Sequence, residues 1–552
     1  MTDKTPVLIV GGGPVGMTLA LCLAKQGVAS TLVELRSQEA IPDVKCNHIS
    51  ARSMELFRSL GVANDLRAAG LPDDYPHDVS YRTSTLGQEI ARIHIPGRLT
   101  RLTDRSGPDG DWPTPEPPHR LNQRYIEPIL RQHVAKQPLI TCLYQHQVQS
   151  FTQEDDHVNV VVQNLTQPYS VPCTLQADYV VGCDGGRSMV RKSIGAKLVG
   201  DEVVQRVQST CIRAPELISR MQAPPAWAMF TVNPRRSGNI YAIDGKEIWL
   251  IHNYLRDNEA DFDSIDRDWA IRTILGVGDD FHYDILSNED WIGRRLVSDK
   301  LQEGRVFLAG DAAHLWVPYA GYGMNAGLAD AANLAWHLTA QLQAWAAPAA
   351  LSAYAKERHP ITEQVSRFAM NHAHAMSQRR RAIPEHLEHD TPEGAEARAR
   401  FGKDLYDLNV QQYCCAGLNF GYYYDQSPVI VYDDEVAPDY SMGHFTPSSV
   451  PGCRAPHFWL SSTESLYDAL GLGFTLLCFE AGSEQDSRHL QQAANAAGMP
   501  LKVLDVSDMA DLPPTYKHRF VLVRADAHTV WRGDQLTPDI AAHVVQRLCG
   551  RA

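Results

Sequence analysis

Eleven cysteines are spread over 552 residues, yet no two of them form a C-x-x-C pair. Zinc ribbons and thioredoxin-type redox couples use that spacing, so no metal site and no disulfide chemistry are expected. The adjacent Cys414 and Cys415 fit no disulfide framework, and Cys453 and Cys478 are not at redox-pair spacing. A reduced, cytoplasmic setting is the expectation. No apolar run approaches membrane-spanning length. No basic-then-apolar leader is read either, since Val7 to Val10 is far too short. Positive charge is also scarce: 51 Lys and Arg stand against 65 Asp and Glu, a formal charge of −14. Nucleic acid and anionic membrane surfaces are therefore not expected partners. The rest is ordinary globular composition in a chain too long for one core, so two or three domains are expected.

Two segments carry most of the information. Near the amino terminus, the apolar run Val7 to Val10 is followed by Gly11-Gly12-Gly13-Pro14-Val15-Gly16 and a helical pattern, Met17 to Ala24. A second strand, Ser30 to Val33, then delivers Glu34. Strand, glycine fingerprint, helix, strand and acid in that order predict a dinucleotide site. Gly11 serves the turn, Gly13 the approach to a pyrophosphate, Gly16 the helix–strand packing, and Glu34 a ribose hydroxyl. Much later, Val306 to Ala309 reads as a buried strand that ends in Gly310-Asp311. After a loop with Pro318, Gly321, Gly323 and Met324, Asn325 to Leu338 reads as a helix. Its start would aim amides and a positive dipole end at an anionic group. Gly321-x-Gly323-x-x-Ala326 mimics the fingerprint, but no strand directly precedes it, so no second dinucleotide unit is read there.

The fold class is α/β with interleaved domains. Residues 1–75, 119–195 and 291–360 read as three pieces of one nucleotide-binding domain. Residues 76–118, rich in Pro, Gly and Asp, read as an excursion of loops toward the substrate domain. Short β runs in 196–290, such as Ile240 to Ile243 and Glu247 to Tyr254, suggest a separate substrate-binding sheet. A helical linker follows over 361–432, and 433–552 alternates strands and helices as a small α/β domain.

Three motifs in order and spacing resemble the group A flavoprotein aromatic hydroxylases. They are GGGPVG with Glu34, Cys183 to Arg191 (CDGGRSMVR), and GRVFLAGDAAH followed by Pro318 and GYGMN. The end of the chain resembles the thioredoxin-like domain of the phenol hydroxylase and hydroxyphenylpropionate hydroxylase branch. That likeness rests on Tyr440, Pro447, Pro451 to His457, Leu522 to Arg524 and Trp531 to Gly533. The resemblance implies a Rossmann-type FAD domain, a β-sheet substrate domain and a thioredoxin-like carboxyl-terminal domain, and the lack of a C-x-x-C pair gives that last domain a supporting role. It implies FAD as cofactor, with NAD(P)H as a transient co-substrate and O2. It places Gly11, Gly13, Pro14, Val15, Gly16, Glu34, Leu35 and Arg36 at the ADP half of FAD. Lys45 stands where the family usually has an arginine near the phosphates, and Gln123 matches a cofactor-contacting glutamine. Asp184 matches a family motif position, with loop organisation as its other reading. Gly310 and Asp311 would meet a ribityl or ribose hydroxyl. Gly321, Gly323, Met324 and Asn325 would offer backbone donors to the flavin pyrimidine edge.

The implied reaction is hydroxylation of a phenolic ring through a C4a-hydroperoxyflavin, in aromatic catabolism. The alternative is a polyketide, steroid-derived or antibiotic substrate. Pro318 would border the substrate. His48 is the candidate base for the phenol, because an imidazole titrates near neutrality. Its other reading is a loop histidine bonded to backbone. Tyr241, His252 and Tyr254 lie on the substrate sheet, and alternation puts His252 and Tyr254 on one face. A homodimer is common in the family and is expected here.

Overall fold

A computed structural model describes residues 4–551 apart from 111, 168, 260 and 318. The innermost strand, Lys4–Val10, is apolar from Val7 onward, with Val7, Leu8 and Ile9 fully buried. It pairs in parallel with Ser30–Glu34 on one side and with Cys173–Gly182 on the other. Burial on both faces explains why these strands read as continuous apolar runs. Gly11 follows with φ +109°, and a Cβ there would fall 2.3 Å from the Cys183 carbonyl oxygen. Helix Pro14–Lys25 then lies close over the strand, since a Cβ on Gly16 would meet the Gly11 oxygen at 2.0 Å.

Among the described residues three sheets form, of eight, nine and four strands. The first runs from Gln302–Glu303 through Val306–Leu308, Cys173–Gly182, Lys4–Val10 and Ser30–Glu34 to Ile140–Tyr144. Its members are thus drawn from both ends of the first 310 residues, as the interleaved reading requires. The nine-stranded sheet centres on the long strand Leu198–Arg213, flanked by Ile248–Tyr254 and by Trp291–Ser298. Strands Val79–Arg82 and Glu89–Ile93 form its far edge, so the 76–118 excursion contributes two strands rather than loops alone. The boundary drawn at 290/291 is corrected here. Trp291–Ser298 belongs to this sheet, because it and Asp284–Asn288 pair with successive parts of the same long strand. His314–Leu315 adds to it as well. A strand that switches sheets leaves no mark in composition.

The carboxyl-terminal sheet has the order Leu501–Asp505, Phe474–Cys478, Phe520–Arg524, Thr529–Gly533, with only the first pair parallel. Helix Glu484–Ala497 follows its first strand and helix Pro538–Leu548 its last, which is the thioredoxin arrangement. Cys453 and Cys478 are free and buried. Among the described residues no helix is long and apolar enough to cross a membrane.

Helices Tyr322–Leu342 and Ser352–Arg381 join this sheet to the nucleotide domain through buried charge. Glu357 accepts from Arg524 Nη1 and Nη2 at 2.8 and 2.7 Å, and from Ser427 and Asn333 at 2.6 Å each. Burial would raise the Glu357 carboxyl, but Arg524 and His337 hold it well below the carboxylate range. Removing one partner strands the other in a dry site. We therefore expect Glu357→Ala to cost about 3–5 kcal/mol of stability, measured by urea unfolding of the holoenzyme. A loss under about 1 kcal/mol, the range of a surface pair, would show that the bridge does not hold the domains. Asp330 is likewise held down, to about 2 from 3.8, by His314 and Arg358 against the effect of burial. A depressed carboxyl stabilises the fold fully above its unfolded value and loses that as pH falls through the folded one. Its contribution should therefore disappear between about pH 4 and 2, and Asp330→Asn should flatten the acid unfolding curve in that window.

Candidate active site

Two helix starts open onto one cavity of about 870 Å³. Helix Pro14–Lys25 begins at Gly13 and helix Tyr322–Leu342 at Gly321, and neither N-cap carries a side-chain acceptor. Their first amides are left for a ligand. Gly11, Gly13, Pro14 and Val15 line the cavity, as do Gly321, Gly323 and Met324. Nothing lies within 4 Å of where a Cβ would stand on Gly13 or Gly323, so both open onto free space. Gly16 and Gly310 are not on the wall. Gly310 lies beneath it, its amide donating to Asp330 Oδ2 at 3.2 Å.

Acidic and polar groups complete this half. Glu34, Leu35, Arg36, Lys45, Gln123 and Asp184 are all on the wall. Glu34 accepts from the Gly12 amide at 2.6 Å and from the Arg36 amide at 2.8 Å, which fixes its carboxylate beside the glycine turn. Gln123 donates to Glu127 at 2.7 Å. Asp184 accepts from Ser188 at 2.5 Å and from the Met189 amide at 2.7 Å, so it is committed to starting helix Met189–Ser193. Lys45 pairs with Glu289 and, at 3.3 Å, with Asp43, so its charge is already balanced. Asp311 differs. Its carboxylate faces the cavity with no hydrogen-bond donor among the described residues, and desolvation by the surrounding protein raises it from its ordinary value against the pull of His314 and Lys45. An unpartnered carboxylate open to the cavity suits a polyol hydroxyl of a ligand.

The side chain of Asn325 has a structural part that the backbone role read in the sequence does not describe. It is off the wall and 3% exposed. Its Oδ1 accepts from the Ser50 amide at 2.8 Å, and its Nδ2 donates to His48 O at 3.1 Å and Gly321 O at 2.6 Å. It clamps the His48 loop to the helix start.

The nine-stranded sheet forms the opposite wall. Leu250, His252 and Tyr254 alternate along one strand and all face the cavity, and Tyr241 faces it from the next. Aromatic rings continue the surface. Trp227 and Tyr241 are 5.2 Å apart, Tyr241 and His252 5.6 Å, and His252 and Trp291 5.7 Å. Phe230, Trp316, Tyr319 and Tyr413 add to it. Burial lowers His252 to about 4 and raises Tyr241 and Tyr254 well above 10, so all three are neutral. Pro318, assigned to the substrate border from sequence, lies outside the described residues.

His48 is on the wall and 3% exposed, but its surroundings run against the role of base. Its Nδ1 faces Arg120 Nη1 in a short contact. A guanidinium only donates, so Nδ1 is the acceptor and Nε2 carries the proton. Burial, with Arg120 and Arg101 nearby, holds the imidazole well below 6.5. The ring is neutral, and its lone pair is spent on Arg120. Sequence reasoning missed Arg120, along with Trp227, Trp291, Trp316, Tyr319 and Tyr413. Arg120 is brought to His48 by an isolated bridge between Ile49 and His119, with N–H···O distances of 2.8 and 2.9 Å.

The donor set fits FAD. Two uncapped helix starts can take a pyrophosphate and a flavin edge, Glu34 and Asp311 can take hydroxyls, and an aromatic chamber adjoins them. The comparisons agree. Residues 4–369 match the family model for the FAD binding domain, and residues 448–552 that for the aromatic-ring hydroxylase C-terminal domain. The chain is 30% identical to the FAD-dependent monooxygenase apdD of Emericella nidulans, over 96% of this chain and 88% of that one. It is 28% identical to phenol 2-monooxygenase of a Pseudomonas species, over 97% and 91%. The rebeccamycin biosynthetic enzyme RebC, solved with 7-carboxy-K252c and with reduced flavin, superposes with a TM-score of 0.88 at 32% identity, covering 100% of this chain and 99% of RebC. Cradle, chamber and carboxyl-terminal domain thus have one common setting, and the chain belongs to the FAD-binding aromatic-ring hydroxylases as an FAD-dependent monooxygenase.

Proposed function

We propose that this monooxygenase hydroxylates a phenolic ring, that of a substituted phenol, catechol or hydroxyphenyl acid, with NAD(P)H and O2 in aromatic catabolism. The observation that carries this reading is the aromatic chamber built directly onto the cofactor cradle, with neutral Tyr241, His252 and Tyr254 on its wall. Stacking against such a wall favours a flat ring, and the enclosing side chains keep water from the reacting atoms. FAD, when bound, supplies the hydride acceptor and the centre that activates oxygen. The chain's own part is to seat the cofactor through Gly13, Asp311, Gly323 and Met324, and to orient the ring. His48 contributes a fixed Nε2–H donor rather than a base. Phenol 2-monooxygenase, named for a phenol, supports the reading. RebC, seen with 7-carboxy-K252c, favours the second one, a larger polyketide, steroid-derived or antibiotic substrate.

A panel of phenols and polycyclic hydroxyarenes, scored for hydroxylated product against peroxide, separates the two. Product from simple phenols supports the first reading; turnover confined to polycyclic compounds overturns it. His48→Ala should lower hydroxylation on the order of tenfold, the worth of one hydrogen bond. It should leave the shape of the rate profile between about pH 6 and 9 unchanged. Loss of a limb of that profile would restore His48 as a base. Asp311→Ala should weaken FAD binding to the apoprotein by roughly 10- to 100-fold, read by flavin fluorescence; unchanged affinity would remove Asp311 from the cofactor site.

A further inference from the structure

Arg120 is a guanidinium on the chamber wall, 3% exposed, with no carboxylate partner among the described residues. Its Nη1 reaches His48, while its Nη2 is buried and has no hydrogen-bond acceptor among the described residues. Its plane lies over Trp227 at 4.6 Å and near Tyr413 at 5.9 Å. The neighbouring charges are already spent. Asp109 is paired with Arg101 and accepts from Trp112 Nε1 at 3.0 Å. Glu289 is paired with Lys45. Arg380, behind Tyr254 and Tyr319, has its own acceptors, Tyr319 at 3.2 Å and Gln205 at 2.9 Å. The other groups around Arg120 carry no opposing charge: His48 and His77 are neutral, and burial keeps the thiols of Cys414 and Cys415 protonated.

A buried cation held only by an imidazole and two ring faces is incompletely compensated. A buried donor without an acceptor calls for a specific explanation. We propose that Arg120 binds an anionic oxygen of the aromatic substrate, a carboxylate or a phenolate, and so selects acidic aromatic compounds over neutral ones. An oxygen there would meet Nη2 with charge-assisted geometry, while the stacked Trp227 keeps the guanidinium in place. His48 then acts as the brace that orients Arg120 from the other side.

The inference rests on the reading of this chamber as an aromatic-substrate site, and the test separates the two. Dissociation constants are measured on the holoenzyme from the perturbation of flavin absorbance. The probes are 3-hydroxyphenylacetate, its methyl ester, phenol and 4-nitrophenol, the last also reporting its own ionisation through the phenolate band. Wild-type enzyme should favour the acid over the ester, or bind 4-nitrophenol as the phenolate. In Arg120→Gln the anionic probe should weaken by roughly 10- to 100-fold, with the ester and phenol little changed. Arg120→Lys should recover part of the loss. Dependence of the acid alone identifies a carboxylate, and dependence of nitrophenolate alone identifies a phenolate. A variant that merely disturbs the chamber would weaken charged and neutral probes alike. An acid-to-ester ratio and a nitrophenolate affinity that are both unchanged in Arg120→Gln overturn the role of Arg120 while leaving the aromatic site standing. If no aromatic probe perturbs the wild-type flavin, both readings fall together.

Discussion

Asp330 is buried in the middle of helix Tyr322–Leu342, where an uncompensated carboxylate would be intolerable, and the way it is compensated organises the cofactor wall. Its Oδ2 accepts from His314 at 2.7 Å and from the Gly310 amide at 3.2 Å, and its Oδ1 from Arg358 at 2.9 Å. The first two partners lie on either side of Asp311 in the chain. One buried charge therefore holds both flanks of the residue that presents its carboxylate to the cavity. The same helix opens at Gly321 over the other part of the cavity. Loop and helix start are set by a single electrostatic requirement, which is stricter than packing alone because leaving it unmet costs several kcal/mol.

That requirement extends outward. Arg358 reaches toward Tyr422, and its chain neighbour Glu357 holds Arg524 of the carboxyl-terminal sheet. Arg524 in turn holds Asp526, whose backbone oxygen accepts from Arg52 at 3.0 Å. Arg52 lies on helix Ala51–Ser59, directly after the loop that carries His48. Besides the direct clamp made by Asn325, a second path from the Asp311 segment to the helix after the His48 loop thus runs through the thioredoxin-like domain. This domain is thereby tied to the helices that carry Glu357 and Arg52 by buried polar contacts. The contacts of Arg52 with the Asp526 carbonyl and the Tyr422 ring explain why it turns away from the cavity, although it sits in the sequence beside site residues.

The cofactor half is legible in the sequence because it is built from backbone. Only glycine tolerates the turn at Gly11 or the contact at Gly16, so the residue type itself reports the geometry. Asp311 and Glu34 are legible for a related reason, since each terminates an apolar run that can only be a buried strand. The backbone place of Asn325 is legible from its motif, whereas the clamp its side chain makes on the His48 loop is not. Trp291–Ser298 is misplaced by composition because pairing partners 80 or more residues apart leave no local trace.

The substrate half follows the opposite logic. Its wall is made of side chains projecting from the nine-stranded sheet together with Trp316, Tyr319 and Tyr413, and many residue types would build an equally sound wall. Trp227, Tyr241 and Tyr413 are ordinary aromatic residues until the sheet faces them across one chamber. Arg120 and His48 meet only because Ile49 and His119 form a two-residue bridge between distant loops. Such a bridge is too short to impose a periodicity on the chain. Chemistry that depends on backbone is therefore readable from spacing, whereas specificity that depends on side chains meeting across a cavity becomes readable only once the chain is folded.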